Sequence, residues 1–413
     1  MRSATLTEDP DYDLFCQQRL HDPYPLFARL RDEDPIHFCE PMKMWLVTRY
    51  EDVYEGVRNT TRLSSSRNAM YSEPLLPQNS HTAEPVIRHL THWLLSIDPP
   101  RHTRLRKLIN IAFTPRMLHS LIPEIEQLVG QYLDDASQKT ETDFIPTFAF
   151  PLPAMVISQM LGIPEGDTRI SLCANVRGLE LFSAAGGSGL NQTIDHAAEC
   201  LSEMIDLFDQ LIAERRKQPQ KDLISALVSA QDNGDRLNRD ELHAMCVFVF
   251  AAGHGTTAGL LSNGMLALLQ NPDQFKALKA NPDGLIESAI EEFLRYESPV
   301  ARAVRRAKCD FEWRGKTILK GQTVVNLIGA ANRDPRQFEN PDQLDITRSP
   351  NKHLAFGYGI HFCIGAPLAR IEANIAFRAI LQRFPNMQLA TDCLTYKSAM
   401  GIRSLESLPV RFG

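Results

Sequence analysis

Apolar residues recur at three- and four-residue intervals over 123–136 (Ile125, Leu128, Val129, Tyr132, Leu133), the spacing that gathers them on one face of an α-helix. The same period predicts helices over 193–217 and 282–296, and a further helix over 366–381. The stretch 239–270 differs. Its middle, 247–257, is apolar nearly all round and reads as a helix that crosses the interior of the molecule. Short β-rich runs such as Trp45-Leu46-Val47-Thr48 and Thr323-Val324-Val325, bounded by Pro, Gly and charged residues, place small sheets within 36–48 and 311–327. A mainly α protein with small β-sheets is therefore expected. Residues 183–189, Ser-Ala-Ala-Gly-Gly-Ser-Gly, break the helical pattern and read either as a mobile lid or as a plain surface loop.

At 413 residues and 43% hydrophobic content the chain can bury a sizeable core, and no shift in composition marks a linker, so a single domain over 1–413 is expected. A formal net charge of −6 argues against nonspecific nucleic-acid binding. The eight cysteines (Cys16, Cys39, Cys173, Cys200, Cys246, Cys309, Cys363, Cys393) lack paired close spacings, which disfavours a zinc ribbon or a disulfide scaffold and suits reduced thiols. Residues 1–12 are polar and acidic, with neither a signal-peptide core nor a membrane span. A soluble, cytoplasmic protein with no membrane partner is the expectation.

Cys363 stands apart from the other thiols. It lies in Phe356-Gly357-Tyr358-Gly359-Ile360-His361-Phe362-Cys363-Ile364-Gly365, directly before a predicted helix. Backbone N–H groups at a helix N-terminus supply the donors and partial positive charge that keep a thiolate ionised. Glycines there can adopt positive φ or leave room for a flat ligand. For the sulfur alone, a metal-binding thiolate and a buried structural cysteine both remain open.

With Ala366, Pro367 and Ala369-Arg370-x-Glu372 following, the string resembles the haem-binding signature of cytochrome P450 enzymes. The resemblance implies the cytochrome P450 fold, with haem b between an oxygen-activating helix and the helix after the cysteine, and Cys363 as axial thiolate. It implies that Phe356 packs near the sulfur, that Gly357 and Gly365 shape the loop, and that His361 reaches a propionate. Glu292-Phe293-Leu294-Arg295 is similar to the family's E-x-x-R motif, whose i, i+3 spacing puts acid and guanidinium on one helix face. Carried over, Glu292 and Arg295 form a buried network with Arg348 that supports the cysteine loop. Asp98-Pro99-Pro100-Arg101-His102-Thr103-Arg104-Leu105-Arg106 resembles D-P-P-x-H-x-x-x-R, which assigns His102 and Arg106 to one propionate, with Arg305 completing the set. Arg101, Arg104 and Lys107, with Arg370 and Arg378, could form a cationic docking surface for an acidic redox partner.

The segment 247–257 is similar to the family's oxygen-activating helix. Ala252 and Gly253 would let dioxygen and substrate sit beside it, a local opening of its ladder would admit water, and Thr256 would supply the relay hydroxyl. The acid that usually precedes this threonine is replaced by Gly255. Three routes stay open: water threading the gap, proton delivery from the substrate or another residue such as His254, or a peroxide-driven or non-hydroxylating oxidation. By resemblance Met70, Leu181, Phe182, Phe248, Val300, Met400 and Ile402 line a pocket for a lipophilic ligand, and Arg302 either binds an acidic group on that ligand or points to solvent. The expected activity is a monooxygenase that inserts one oxygen atom from O2 into a lipophilic small molecule, tailoring a natural product. Its electrons would come from a separate ferredoxin or flavodoxin with its reductase. A haem-binding sensor or ligand carrier without turnover is the reading from another class.

Overall fold

The computed structural model describes residues 21–73, 76–185, 190–231, 233–391, 393–397 and 402–412, with the side chains of 180–185 and 190 outside the description. The core of the fold is built on eight helices: α1 (Arg101–Ala112), α2 (Ile122–Ser137), α3 (Pro151–Leu161), α4 (Asp167–Ala185), α5 (Leu190–Lys217), α6 (Arg239–Gln270), α7 (Pro282–Tyr296) and α8 (Ala366–Arg383). Helices α6 and α7 begin and end at the residues expected from sequence, because local chemistry fixes their ends. Asn238 and Glu241 form a reciprocal capping box at the start of α6. At the start of α7, Asn281 accepts from the Gly284 N–H while Pro282 fills the first turn, where no amide donor is missed. Helix α4 runs through residues 183–185 of the proposed lid, and 186–189 lie outside the described residues.

Helix α6 is long and apolar enough to cross a membrane, yet almost every side chain along it is covered by protein. It is the central core helix. The largest buried cluster draws side chains from Tyr71 to Val410, including Phe148, Phe208, Phe250, Phe293 and Phe377, so α3, α5, α6, α7 and α8 share one apolar interior. Burial on this scale is the main stabilising term for such a chain.

Among the described residues, shorter helices and ten short strands surround these: β1 (Ile36–Cys39), β2 (Met44–Val47), β3 (Leu63–Ser64), β4 (Glu141–Asp143), β5 (Ala303–Ala307), β6 (Phe311–Trp313), β7 (Lys316–Ile318), β8 (Thr323–Asn326), β9 (Gln388–Leu389) and β10 (Pro409–Arg411). The two β-rich regions seen in sequence join in one sheet of order β1-β2-β8-β5-β3, in which β2 runs parallel to β8 with Trp45 opposite Val324. Strands β6 and β7 form a hairpin whose turn residues, Arg314 and Gly315, both have positive φ, as a two-residue loop between twisted strands requires. The sheet β4-β10-β9 was not anticipated.

Candidate functional site

The segment before α8 is a tight loop. Gly357 and Gly359 take φ of 69° and 70°, where any Cβ is strained, and these turns fold the chain back so that the Cys363 N–H donates to the Phe356 carbonyl at 2.9 Å. The thiol then faces the N-terminus of α8, where the Gly365 and Ala366 N–H groups donate to sulfur. Burial pushes the Cys363 thiol up, and these two donors with the Arg106 and Arg370 charges pull the other way. Arg370 lies over the Phe356 ring, 4.6 Å from its centroid, and binds Glu291 through two bonds of 2.6 and 2.8 Å. Glu291 also meets His353 Nε2 at 3.1 Å. Burial alone would raise the Glu291 carboxyl, but the bonds from Arg370 and His353 bring it down to about 2. The sequence reading missed Glu291, although Arg370 in the motif implied an acid somewhere behind it.

Glu292 and Arg295 meet as a two-bond pair, 2.7 Å each, with no exposed side-chain surface. Every other donor and acceptor of the pair is also used. Arg295 donates to the carbonyls of Asn332, Pro341 and Gln343, while Glu292 accepts from Arg348 Nε, Asn351 Nδ2 and the Asp345 N–H. Asn332 in turn accepts from the Leu354 N–H at 2.8 Å, so the network reaches the entry of the Cys363 loop.

Several basic groups converge beside that loop. His102 on α1 is buried, its ring 4.4 Å from that of His361, and neither of its nitrogens has a hydrogen-bond partner. An imidazole buried with both nitrogens unsatisfied is costly in a protein interior unless an acceptor joins it. His361 meets Ser65 Oγ at 2.9 Å. Burial and the surrounding cations push His361 down to about 3, and burial brings Arg305 down to about 10. Arg305 and His361 nonetheless keep accessible surface, the combination expected of side chains that face interior space rather than bulk water. A dianionic ligand edge would satisfy these groups. The residues fit a thiolate-ligated haem.

On α6, Ala252 is exposed although the helix around it is buried, so its face looks onto the same kind of interior space. Thr256 lies one turn further on that face, and its hydroxyl donates to the Ala252 carbonyl at 2.7 Å. The helix runs unbroken from Arg239 to Gln270; the expected opening of the ladder is replaced by this hydroxyl contact, a kind of bond that bends helices without interrupting them. Two further expectations need correction. A Cβ on Gly253 would come within 2.8 Å of Ile157 Cδ1, so the glycine lets α3 pack closely on α6 rather than making room for dioxygen. His254 is buried against Phe150, ring centroids 4.2 Å apart, and lies about 200° round the helix from Thr256. It is brought down to about 4 by burial and does not face the Thr256 hydroxyl, which counts against His254 in the second of the three proton routes left open by the sequence. Gly255 contributes no side chain.

Of the residues read as pocket lining, Phe248 packs against Trp93 with centroids 5.6 Å apart, and Val300 bridges to Ile402. Met70 is half-buried on the short helix Asn68–Ser72. Burial brings the Arg302 guanidinium down to about 10, which removes the reading that it points to bulk solvent. Met400 and the side chains of Leu181 and Phe182 lie outside the described residues. The cationic docking surface is not assembled as expected. Arg104 is held by Asp235 and Glu241, Arg370 by Glu291 and Arg378 by Asp283, all acids distant in sequence.

An α-rich fold built on a central helix, with a glycine-bounded cysteine at a helix start and cationic groups gathered beside it, defines a haem-thiolate protein. The family model described as cytochrome P450 matches residues 77–392. The chain is 40% identical over 400 residues to the polyketide biosynthesis cytochrome P450 PksS of Bacillus subtilis (strain 168), covering 94% of this chain and 96% of the relative. It is 39% identical to the cytochrome P450 monooxygenase PikC of Streptomyces venezuelae, over 100% of this chain and 96% of that one. Among solved structures, P450BioI in complex with an acyl carrier protein carrying hexadec-9Z-enoic acid superposes with a TM-score of 0.87 at 38% identity, covering 96% of this chain and 100% of that one. This protein belongs to the cytochrome P450 family and is a monooxygenase of the bacterial type, with a cysteine-ligated haem as cofactor.

Proposed function

We propose that this protein, as one domain over residues 1–413, inserts one oxygen atom from O2 into a lipophilic small molecule in natural-product tailoring. In this reading it works in the cytoplasm with electrons from a ferredoxin or flavodoxin and its reductase. The observation that carries the reading is the break in burial at Ala252, exposed, and Thr256, half-buried, one turn apart in the middle of the apolar helix α6. Phe248, Val300 and Ile402 supply apolar wall, and the relationship to a polyketide biosynthesis enzyme supports a lipophilic substrate.

Haem, when bound, supplies the redox chemistry that activates dioxygen. Cys363 would be its ligand; the Gly365 and Ala366 N–H groups and Arg106 offset part of the burial that pushes its thiol up. His102, Arg106, Arg305 and His361 would hold its propionates. Glu292, Arg295 and Arg348 hold the segment that leads into the loop. Thr256 passes protons: its oxygen retains lone pairs for a water donor while its hydrogen can leave the Ala252 carbonyl for a better acceptor. Thr256→Ala is expected to lower coupled product formation by about 10²-fold, the low end for loss of a general acid, and to raise hydrogen peroxide release. Unchanged peroxide release would remove Thr256 from proton delivery.

The test of function is a titration of the ferric holoprotein with lipophilic scaffolds, each offered free and as a thioester on an acyl carrier protein, since a relative with 38% identity was solved with such a carrier. A saturable change of haem spin state, followed by product containing oxygen from O2 in the presence of a ferredoxin chain, is the expected result. No product from any ligand that shifts the spin state would sink the reading. Gly255 favours a second reading, peroxide-driven oxidation, because the usual acid is absent. Product with hydrogen peroxide and none with the electron chain would select it.

A further inference from the structure

Three half-buried arginines lie near the Cys363 loop, and the family motifs account for only two of them, Arg106 and Arg305. The third is Arg67, in the turn between β3 and the helix Asn68–Ser72. Its position is fixed by its neighbours. Two residues earlier, the Ser65 N–H donates to Asp98 Oδ1 at 2.8 Å and its hydroxyl meets His361 Nε2 at 2.9 Å, and the His361 ring lies 4.4 Å from that of His102. Arg67 lies near enough to Arg305 for its charge to act on that guanidinium. Its Nε is buried without a partner. Neither Arg67 nor Arg106 nor Arg305 has a carboxylate within ion-pair distance, although most other interior arginines in the protein do.

The charges do not balance within the protein. Guanidinium stays protonated even when buried, so three positive charges face one acid, Asp98, whose oxygens already accept from Ser64 and Ser65. Two positive charges are left over. Confining them without a counter-ion would be costly, and one haem brings two propionates. With Arg106 and Arg305 alone, the same count leaves a single positive charge for two carboxylates.

We propose that Arg67 is the third guanidinium that holds the haem propionates, completing the charge balance of the site. The inference rests on the haem reading above and adds a residue that no sequence motif marked. A rival use of Arg67 is an anion in the polar cleft of about 660 Å³ that its neighbours Ser66 and Asn68 line with Arg88 and Arg101.

The experiment measures the haem midpoint potential and the rate of haem transfer to excess apomyoglobin for the wild-type holoprotein, Arg67→Gln, Arg67→Lys and the exposed-surface control Arg116→Gln. Removing a positive charge beside the haem favours the ferric state, so Arg67→Gln should shift the ferric/ferrous ratio roughly tenfold, about 59 mV to lower potential for one electron. Haem loss should quicken roughly tenfold, as expected for one charged hydrogen-bonding partner. Arg67→Lys should restore the potential, which a merely structural role would not require, and Arg116→Gln should change neither reading. A potential and a transfer rate in Arg67→Gln equal to wild type overturn the assignment, and weaker binding of an acidic ligand with both unmoved points instead to the cleft. Failure of the wild-type protein to take up haem would overturn the underlying reading as well.

Discussion

Arg295→Ala is expected to give a protein that loses most of its haem and unfolds well before the wild type. Arg295 and Glu292 have no exposed side-chain surface, and Arg295 donates five hydrogen bonds, two to Glu292 and three to backbone carbonyls of the segment 332–343. Removing the guanidinium leaves those carbonyls unsatisfied and Glu292 with only Arg348 as a charged partner, at 3.1 Å. Breaking a buried pair in this way costs about 3–5 kcal/mol. That is a large part of the 5–15 kcal/mol by which proteins are typically stable. The effect should reach the haem because Asn332, which Arg295 holds through its carbonyl, positions Leu354 just before the cysteine loop. Arg295→Lys should rescue little, since an ammonium cannot reproduce a fork that serves a carboxylate and three carbonyls together. Denaturant unfolding and haem-to-protein ratios measure both effects; wild-type haem content and stability in Arg295→Ala would show that the network is dispensable.

What the sequence revealed, and what it hid, follows from the range of the interactions. Helix α7 was legible because its caps and its apolar period are local, and the loop around Cys363 because its residues are contiguous. Strand β5, Ala-Val-Arg-Arg-Ala, shows no alternation of polar and apolar residues, and its partners β3 and β8 lie far away and close by in sequence respectively. The parallel pairing of β2 with β8 joins residues about 280 apart, which no window reports. The misread docking surface has the same origin: Arg104, Arg370 and Arg378 look free in sequence because Asp235, Glu291 and Asp283 meet them only in the fold. Arg67 was hidden by its serine-rich surroundings, and only the count of charges exposes it. The route through His254 could have been set aside from sequence, because two residues along a helix point to nearly opposite sides. Gly253 was harder to place; its use depends on Ile157 of another helix.

Cys363→Ser should separate holding the cofactor from using it. The substitution is nearly isosteric and leaves the loop's own supports in place, namely the Cys363 N–H bond to Phe356, the positive-φ glycines and the Glu291–Arg370–His353 cluster behind it. The residues proposed to hold the propionates are also untouched, so the variant should fold with stability close to wild type and still associate with haem. What it lacks is a group that can ionise in that position. The Gly365 and Ala366 N–H groups and Arg106 are arranged to stabilise a thiolate against the cost of burial, and a serine hydroxyl, far less acidic, remains neutral beside the same donors. Electron donation from the axial ligand is what favours O–O cleavage, so monooxygenase turnover should fall to background. The reduced, carbon monoxide-bound form should also lose the red-shifted absorption of thiolate-ligated haem. A variant that kept that absorption would place the ligand on another of the described free thiols, such as Cys309 or Cys393, both exposed and neither in a glycine-bounded loop at a helix start.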